Sequence, residues 1–142
     1  MLAQNFMIAA DLRITEPQKR ALIKTLVLLE TGKLQHVHPD ATFSEPRGFT
    51  GHFNMSWWDL HSGCGTICCI GGTAELIGEL KPNELDIATI GNSKLRNLFY
   101  PGVDKKDQIF VAMQNITPTQ AAVALRSYLT TGDAQWNLAV SS

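Results

Sequence analysis

The sequence predicts a mainly helical, single-domain protein spanning residues 1–142 and built around a buried central helix at about residues 66–80, with at most short strands. Three observations favour this fold class. Two segments combine a helix-start signal with apolar residues at helical spacing. A third segment carries no charged residue between positions 65 and 74, which is typical of a buried element. The chain also has the length of one ordinary domain with a core of its own.

The first helix signal is at Thr15. Its hydroxyl is suited to accept a hydrogen bond from the amide of Gln18, and Pro17 is tolerated in a first turn because its missing N–H has no intrahelical acceptor there. Apolar residues then recur at helical spacing, at Leu22, Leu26 and Leu29. Gly32 supplies a stop, so we expect a helix between Thr15 and Gly32.

Residues 33–63 are expected to form a long ordered loop rich in aromatic residues, because proline and glycine are spread through the segment and disfavour helix. Its large apolar side chains are too numerous to remain in water: Phe43, Phe49, Phe53, Met55, Trp57 and Trp58. We expect Phe53, Met55 and one tryptophan to pack on the central helix. The other tryptophan is expected to stay partly accessible, which makes Trp57 and Trp58 the candidates for contact with a partner.

The central helix is expected to begin at Thr66 and to end before Pro82. Gly71 and Gly72 lie inside it, and each costs roughly 1 kcal/mol relative to alanine in a helix. Such a cost needs a compensating reason. We therefore expect another backbone to approach both glycines closely.

Two short helices are expected next, at residues 83–91 and 93–100, each preceded by a capping residue. Pro101 ends the second of them. Their inward-facing residues are predicted to be Leu85, Ala88, Leu95, Leu98 and Phe99.

Residues 109–116 fit a strand and a helix equally well, because their apolar residues match both periods. The segment that follows is clearer. Thr117, Pro118 and Gln120 repeat the start signal of the first helix, so a second amphipathic helix is expected up to Gly132.

Charge and hydropathy exclude several classes of function. The 12 basic and 13 acidic residues give a formal net charge of -1, which disfavours binding to nucleic acid. No apolar run approaches the roughly twenty residues that a membrane span requires. The apolar stretch at residues 6–10 lacks the basic cluster that precedes a secretion signal. We expect a cytoplasmic protein that contacts neither nucleic acid nor membrane.

The three cysteines lie within six positions, and an odd, clustered set is a poor disulfide framework, so reduced thiols are expected. Cys64 stands just before the expected helix, where the helix dipole lowers the pKa of a thiol, and Cys68 lies one turn later. Together with His61 they are the catalytic candidates of a thiol-dependent enzyme or redox protein. The alternative, which we favour, is that such cysteines are small buried hydrophobic residues.

A zinc-stabilised binding module is a third alternative. His52, His61, Cys64 and Cys68 offer nitrogen and sulfur ligands that zinc accepts, but the sequence has no Cys-x-x-Cys pair. No phosphate-binding loop, nucleophile elbow or His-Glu-x-x-His helix is present either. We therefore expect no metal and no cofactor. The sequence favours a non-enzymatic binding protein that interacts with a protein partner or with itself.

One constellation resembles a motif of known proteins. Phe53-Asn54-Met55 is followed three positions after Met55 by Trp58, and Cys64-Gly65-Thr66 is followed by Cys69-Ile70 and Gly72. This arrangement resembles a family of small, uncharacterised bacterial and phage proteins. In that family a Leu-Glu-x-Gly helix end precedes the motif and a Leu-Phe-x-Pro element follows it, and these match residues 29–32 and 98–101. The chain departs from the family at Gly71, where alanine is usual, and at Thr73, where tryptophan is expected. The resemblance implies a bacterial protein of similar fold and transfers no catalytic residue.

Overall fold

A computed structural model describes residues 6–36, 51–55, 60–62, 65–101 and 115–140. Within these residues the chain forms seven helices and a small four-stranded sheet. The helices are α1 (Ala9–Leu12), α2 (Glu16–Glu30), α3 (Ile70–Ile77), α4 (Glu84–Ala88), α5 (Ser93–Phe99), α6 (Pro118–Thr131) and α7 (Trp136–Ala139). The strands are β1 (Gln35–His36), β2 (His52–Phe53), β3 (Leu60–Ser62) and β4 (Gly65–Cys68). The predicted mainly helical fold class with short strands is confirmed. Within the same residues, no helix is both long enough and apolar enough to cross a membrane.

Helices α2 and α6 begin with the same arrangement of side chains. The Thr15 hydroxyl accepts a hydrogen bond from the Gln18 amide at 3.2 Å, and the Gln18 side chain accepts one from the Thr15 amide at 3.0 Å. Thr117 and Gln120 repeat both bonds at the start of α6. Each bond satisfies an amide that has no acceptor within its own helix. Helix α6 then ends at Gly132, whose φ of +83° is left-handed. Both helix predictions are confirmed.

The central helix is shorter than the sequence predicts. Residues 65–68 form β4, and α3 begins only at Ile70. Strand β4 lies inside the sheet, parallel to β2 and antiparallel to β3. The expected start at Thr66 was therefore wrong, because an uncharged apolar segment suits an inner strand as well as a buried helix. The burial of the helix is confirmed, since residues 70–75 are all buried.

Helix α2 packs against both α3 and α6, and the core fills the space between them. Phe53 and Met55 are 0% and 2% exposed and belong to the same core as Ile70 and Ala74 of α3. Their predicted burial is confirmed. Trp57 and Trp58 lie outside the described residues, so the prediction that one of them is buried stays a prediction.

Close packing of α3 on α2 depends on Gly78, at the end of α3. A Cβ atom at this position would lie 2.7 Å from the carbonyl oxygen of Ala74 and would collide with the Cβ of Ala21 on α2. Gly71 and Gly72 are helical and buried, as expected. The close approach that the structure describes, however, is at Gly78, which the sequence analysis did not single out.

The remaining helices differ from expectation mainly in length. Helix α4 spans five residues rather than 83–91, and α5 ends one residue earlier than expected. Residues 102–114 lie outside the described part, so the ambiguity of residues 109–116 remains. The sequence analysis also missed α7, whose Trp136 is fully buried and donates a hydrogen bond of 2.8 Å to the carbonyl of Asn97.

Candidate functional site

Cys68 and Cys69 lie where β4 meets α3, and they are 1% and 2% exposed. Burial raises the pKa of the Cys69 thiol from 9.0 to about 12, outweighing the opposite effect of the backbone N–H groups of Gly72 and Gly71. Cys69 therefore stays protonated near neutral pH, and a protonated thiol is a poor nucleophile. The predicted burial of Cys68 is confirmed.

The rest of the predicted thiol or metal site cannot be assembled from the described residues. Cys64 lies outside them, and His52 and His61 are described only as backbone in β2 and β3. The described residues hold no group of three or more His, Cys, Asp or Glu side chains that could bind a metal. Neither the thiol site nor the zinc site gains geometric support.

An open groove lies between α4 and α5. This α4–α5 groove has a volume of about 580 Å³ and is open to solvent. Its lining includes Asp86, Ile87, Thr89, Ile90, Arg96 and Tyr100. The groove thus combines aliphatic, aromatic and charged side chains.

The apolar side chains of the groove are largely exposed to solvent. Ile87 on α4 is 63% exposed and Ile90, just after α4, is 81% exposed, whereas Leu85 on α4 is fully buried. Burial of a large apolar side chain is worth roughly 1.5–3 kcal/mol, and the fold leaves most of this gain unused at both isoleucines. Two exposed aliphatic side chains that line the same groove make it a candidate for contact with another molecule.

The polar part of the groove contains one satisfied pair and one cation. The Tyr100 hydroxyl donates a hydrogen bond to Oδ1 of Asp86 at 2.5 Å. Burial, followed by this bond, raises the pKa of Tyr100, so its hydroxyl remains a donor. Arg96 is exposed, and no hydrogen bond or ion pair joins its guanidinium to another described residue. Its charge is therefore available to an incoming group.

A second groove, of about 410 Å³, lies between α2 and α6. Here the charges are already paired, because the Arg126 guanidinium donates two hydrogen bonds of 2.6 Å to the Glu30 carboxylate. The Arg126 guanidinium also lies 5.8 Å from the centre of the Phe6 ring. Val123 on this surface is 40% exposed, half the value of Ile90. The α4–α5 groove is the stronger candidate for binding.

The sequence pattern did not point to Ile87, Ile90 or Arg96. It favoured an interaction surface at Trp57 and Trp58, which lie outside the described residues. A signal was nevertheless present. On the helix predicted at residues 83–91, an inward-facing Leu85 leaves Ile87 and Ile90 on a different side.

No protein-family model, curated protein or solved structure matches the chain. The resemblance to the small bacterial and phage proteins therefore stays a prediction from the sequence motif.

Proposed function

We propose that this is a non-enzymatic binding protein and that it engages a protein partner through the α4–α5 groove. The observation that carries the proposal is the exposure of Ile87 and Ile90, 63% and 81%, next to the groove. Apolar side chains surrounded by polar groups resemble the arrangement of known protein interfaces. Arginine and tyrosine, both of which line this groove, are also enriched among the residues that dominate binding energy.

The interior position of Cys68 and Cys69 also favours binding over catalysis. Cys69 is protonated and shielded from solvent, so it does not supply the thiolate that a thiol-dependent enzyme needs. A thiol-dependent enzymatic role would have to rely on Cys64. The near-neutral formal charge of -1 further favours a protein partner over nucleic acid, and we place the protein in the bacterial cytoplasm.

Peptide selection tests the proposal without knowledge of the natural partner. Peptides selected on the parent protein from a phage-displayed random library would be synthesised, and their affinities measured by fluorescence polarisation. We expect Ile90→Asp to weaken binding by about tenfold or more, because an introduced carboxylate would be desolvated in the interface.

Leu138→Asp provides the matched control, since Leu138 is 58% exposed on α7, outside the groove. We expect this variant to bind like the parent, with circular dichroism confirming that both variants are folded. If Ile90→Asp binds the selected peptides as tightly as the parent, or if both variants lose affinity equally, the groove is not the binding surface.

A further inference from the structure

We infer that the occupant of the α4–α5 groove is a second copy of this chain, docked across a two-fold axis with Arg96 of each copy facing Asp86 of the other. This inference rests on the proposed function, because it names the partner for the same surface. Its basis is the distribution of charge in the groove, because a patch with both signs of charge can pair with its own copy across a two-fold axis.

An interface across a two-fold axis brings the same patch of two copies together, so every contact between different residues occurs twice. A patch of a single charge repels itself in this arrangement. The α4–α5 groove contains both signs, Asp86 and Arg96, and their formal charges cancel. It can therefore meet its own copy without net repulsion, while Ile87 and Ile90 contribute apolar area to both sides.

The hydrogen bonds within the groove leave the required atoms available. Tyr100 donates a hydrogen bond to Oδ1 of Asp86, and Oδ2 accepts none from the residues that the structure describes. Arg96 has no ion pair with the residues that the structure describes. The guanidinium of one copy can thus bind Oδ2 of Asp86 in the other while both bonds to Tyr100 persist.

A partner segment that carries a single sign of charge would satisfy only half of this arrangement. An acidic segment that pairs with Arg96 also meets the carboxylate of Asp86, and a basic segment meets the guanidinium. The α2–α6 groove offers no comparable exchange, because Arg126 and Glu30 are already paired within one chain. Charge complementarity therefore favours the second copy at the α4–α5 groove.

Charge reversal tests the inference with a gain of binding. Analytical ultracentrifugation of the parent should show a concentration-dependent dimer. Arg96→Glu places two carboxylates at both contacts, and Asp86→Arg places two guanidinium groups there, so each variant alone should dimerise about tenfold more weakly or worse. Mixing the two variants restores opposite charges at both contacts. Native mass spectrometry, which separates the two chains by mass, should then show the heterodimer as the dominant dimer.

Folding of the variants has its own control. Asp86→Arg removes the acceptor that Asp86 provides for Tyr100. A second mixture therefore combines Arg96→Glu with Asp86→Asn, which keeps an acceptor at this position. This pair retains one attractive contact and removes the repulsion at the other, and it should dimerise more strongly than Arg96→Glu alone. Leu138→Asp should dimerise like the parent.

A parent that is monomeric at every concentration overturns the inference, as does dimerisation that is unchanged in Arg96→Glu or a mixture without heterodimer. The proposed function has a separate readout. If the parent is monomeric but binds selected peptides in a manner that Ile90→Asp abolishes, the groove binds a different protein and only the homodimer is rejected. If peptide binding is also unaffected by Ile90→Asp, both are rejected.

Discussion

Residues of the same chemical type have opposite environments at the two ends of the α3–α4 region. Where β4 meets α3, Cys68, Cys69 and Ile70 are almost completely buried, whereas Ile87 and Ile90 beside α5 are open to solvent. The buried end contains the thiol groups, which are the reactive type of side chain, and the open end contains unreactive aliphatic side chains. Cys68 and Cys69 thus belong to the core, whereas Ile87 and Ile90 are on the surface, where we propose that they contact another molecule.

The largest expected effect comes from shortening the same residue type at both ends. Ile70→Ala removes a fully buried side chain and should lower the free energy of unfolding by about 2–5 kcal/mol. Ile90→Ala removes one that is 81% exposed, and its effect should stay within about 0.5 kcal/mol. Urea unfolding monitored by circular dichroism measures both values. Similar losses in the two variants, with unchanged denaturant slopes, would show that Ile90 also supports the core and would break the comparison.

A smaller effect is expected at Gly78, where α3 meets α2. Gly78→Ala places a methyl group against Ala21 and the carbonyl of Ala74, and overpacking of this kind should destabilise the protein by about 1–3 kcal/mol. Urea unfolding again provides the measurement. Combining Gly78→Ala with Ala21→Gly removes one of the two collisions, so the double variant should lose less than the sum of the two single losses. Additive losses would mean that the two positions do not compete for the same space.

The smallest expected effect concerns Cys69, which should not react with an alkylating reagent in the folded protein. Because the pKa of Cys69 is raised to about 12 in the folded state, iodoacetamide should leave it unmodified at mildly alkaline pH and should modify it readily in urea. Because the pKa of Cys69 is higher in the folded state, this residue also makes stability depend on pH. Its contribution to the free energy of unfolding is complete below pH 9.0 and is lost as the pH rises towards about 12. Mass spectrometry after digestion locates the label. Rapid modification of Cys69 in the native protein would show that this thiol is accessible and ionises, which would support a thiol site.

Local signals explain which helices could be predicted from the sequence. Helices α2 and α6 carry their start signals in four consecutive residues, and those residues make the expected bonds. Strand β4 depends on pairing with two other strands, since Ile67 pairs with His52 of β2 and with Leu60 of β3. A pattern read along the chain could not reveal those pairings. Gly78 was missed for a related reason, because its close neighbour Ala21 lies on another helix.

The candidate site was harder to predict than the fold. Cysteine was a candidate because thiols are reactive, but burial decides whether a thiol ionises, and burial arises from tertiary packing. The exposure of Ile90 likewise depends on the space left between α4 and α5. The sequence did predict that Leu85 faces inward, and this is confirmed. The roles assigned to Trp57 and Trp58 remain predictions.

Glu75 on α3 determines how firmly the wall of the groove is held. Its carboxylate accepts hydrogen bonds from the amides of Asn83, at 2.9 Å, and Leu85, at 3.0 Å, and the residue is only 6% exposed. Rotation of α4 away from α3 would leave a buried carboxylate without these donors, which is costly. The proposed binding surface is therefore pre-organised, and a docking molecule would not have to order α4 before it gains contact with Ile87. Weakening this attachment should slow or weaken association even though Glu75 lies beneath the surface rather than on it.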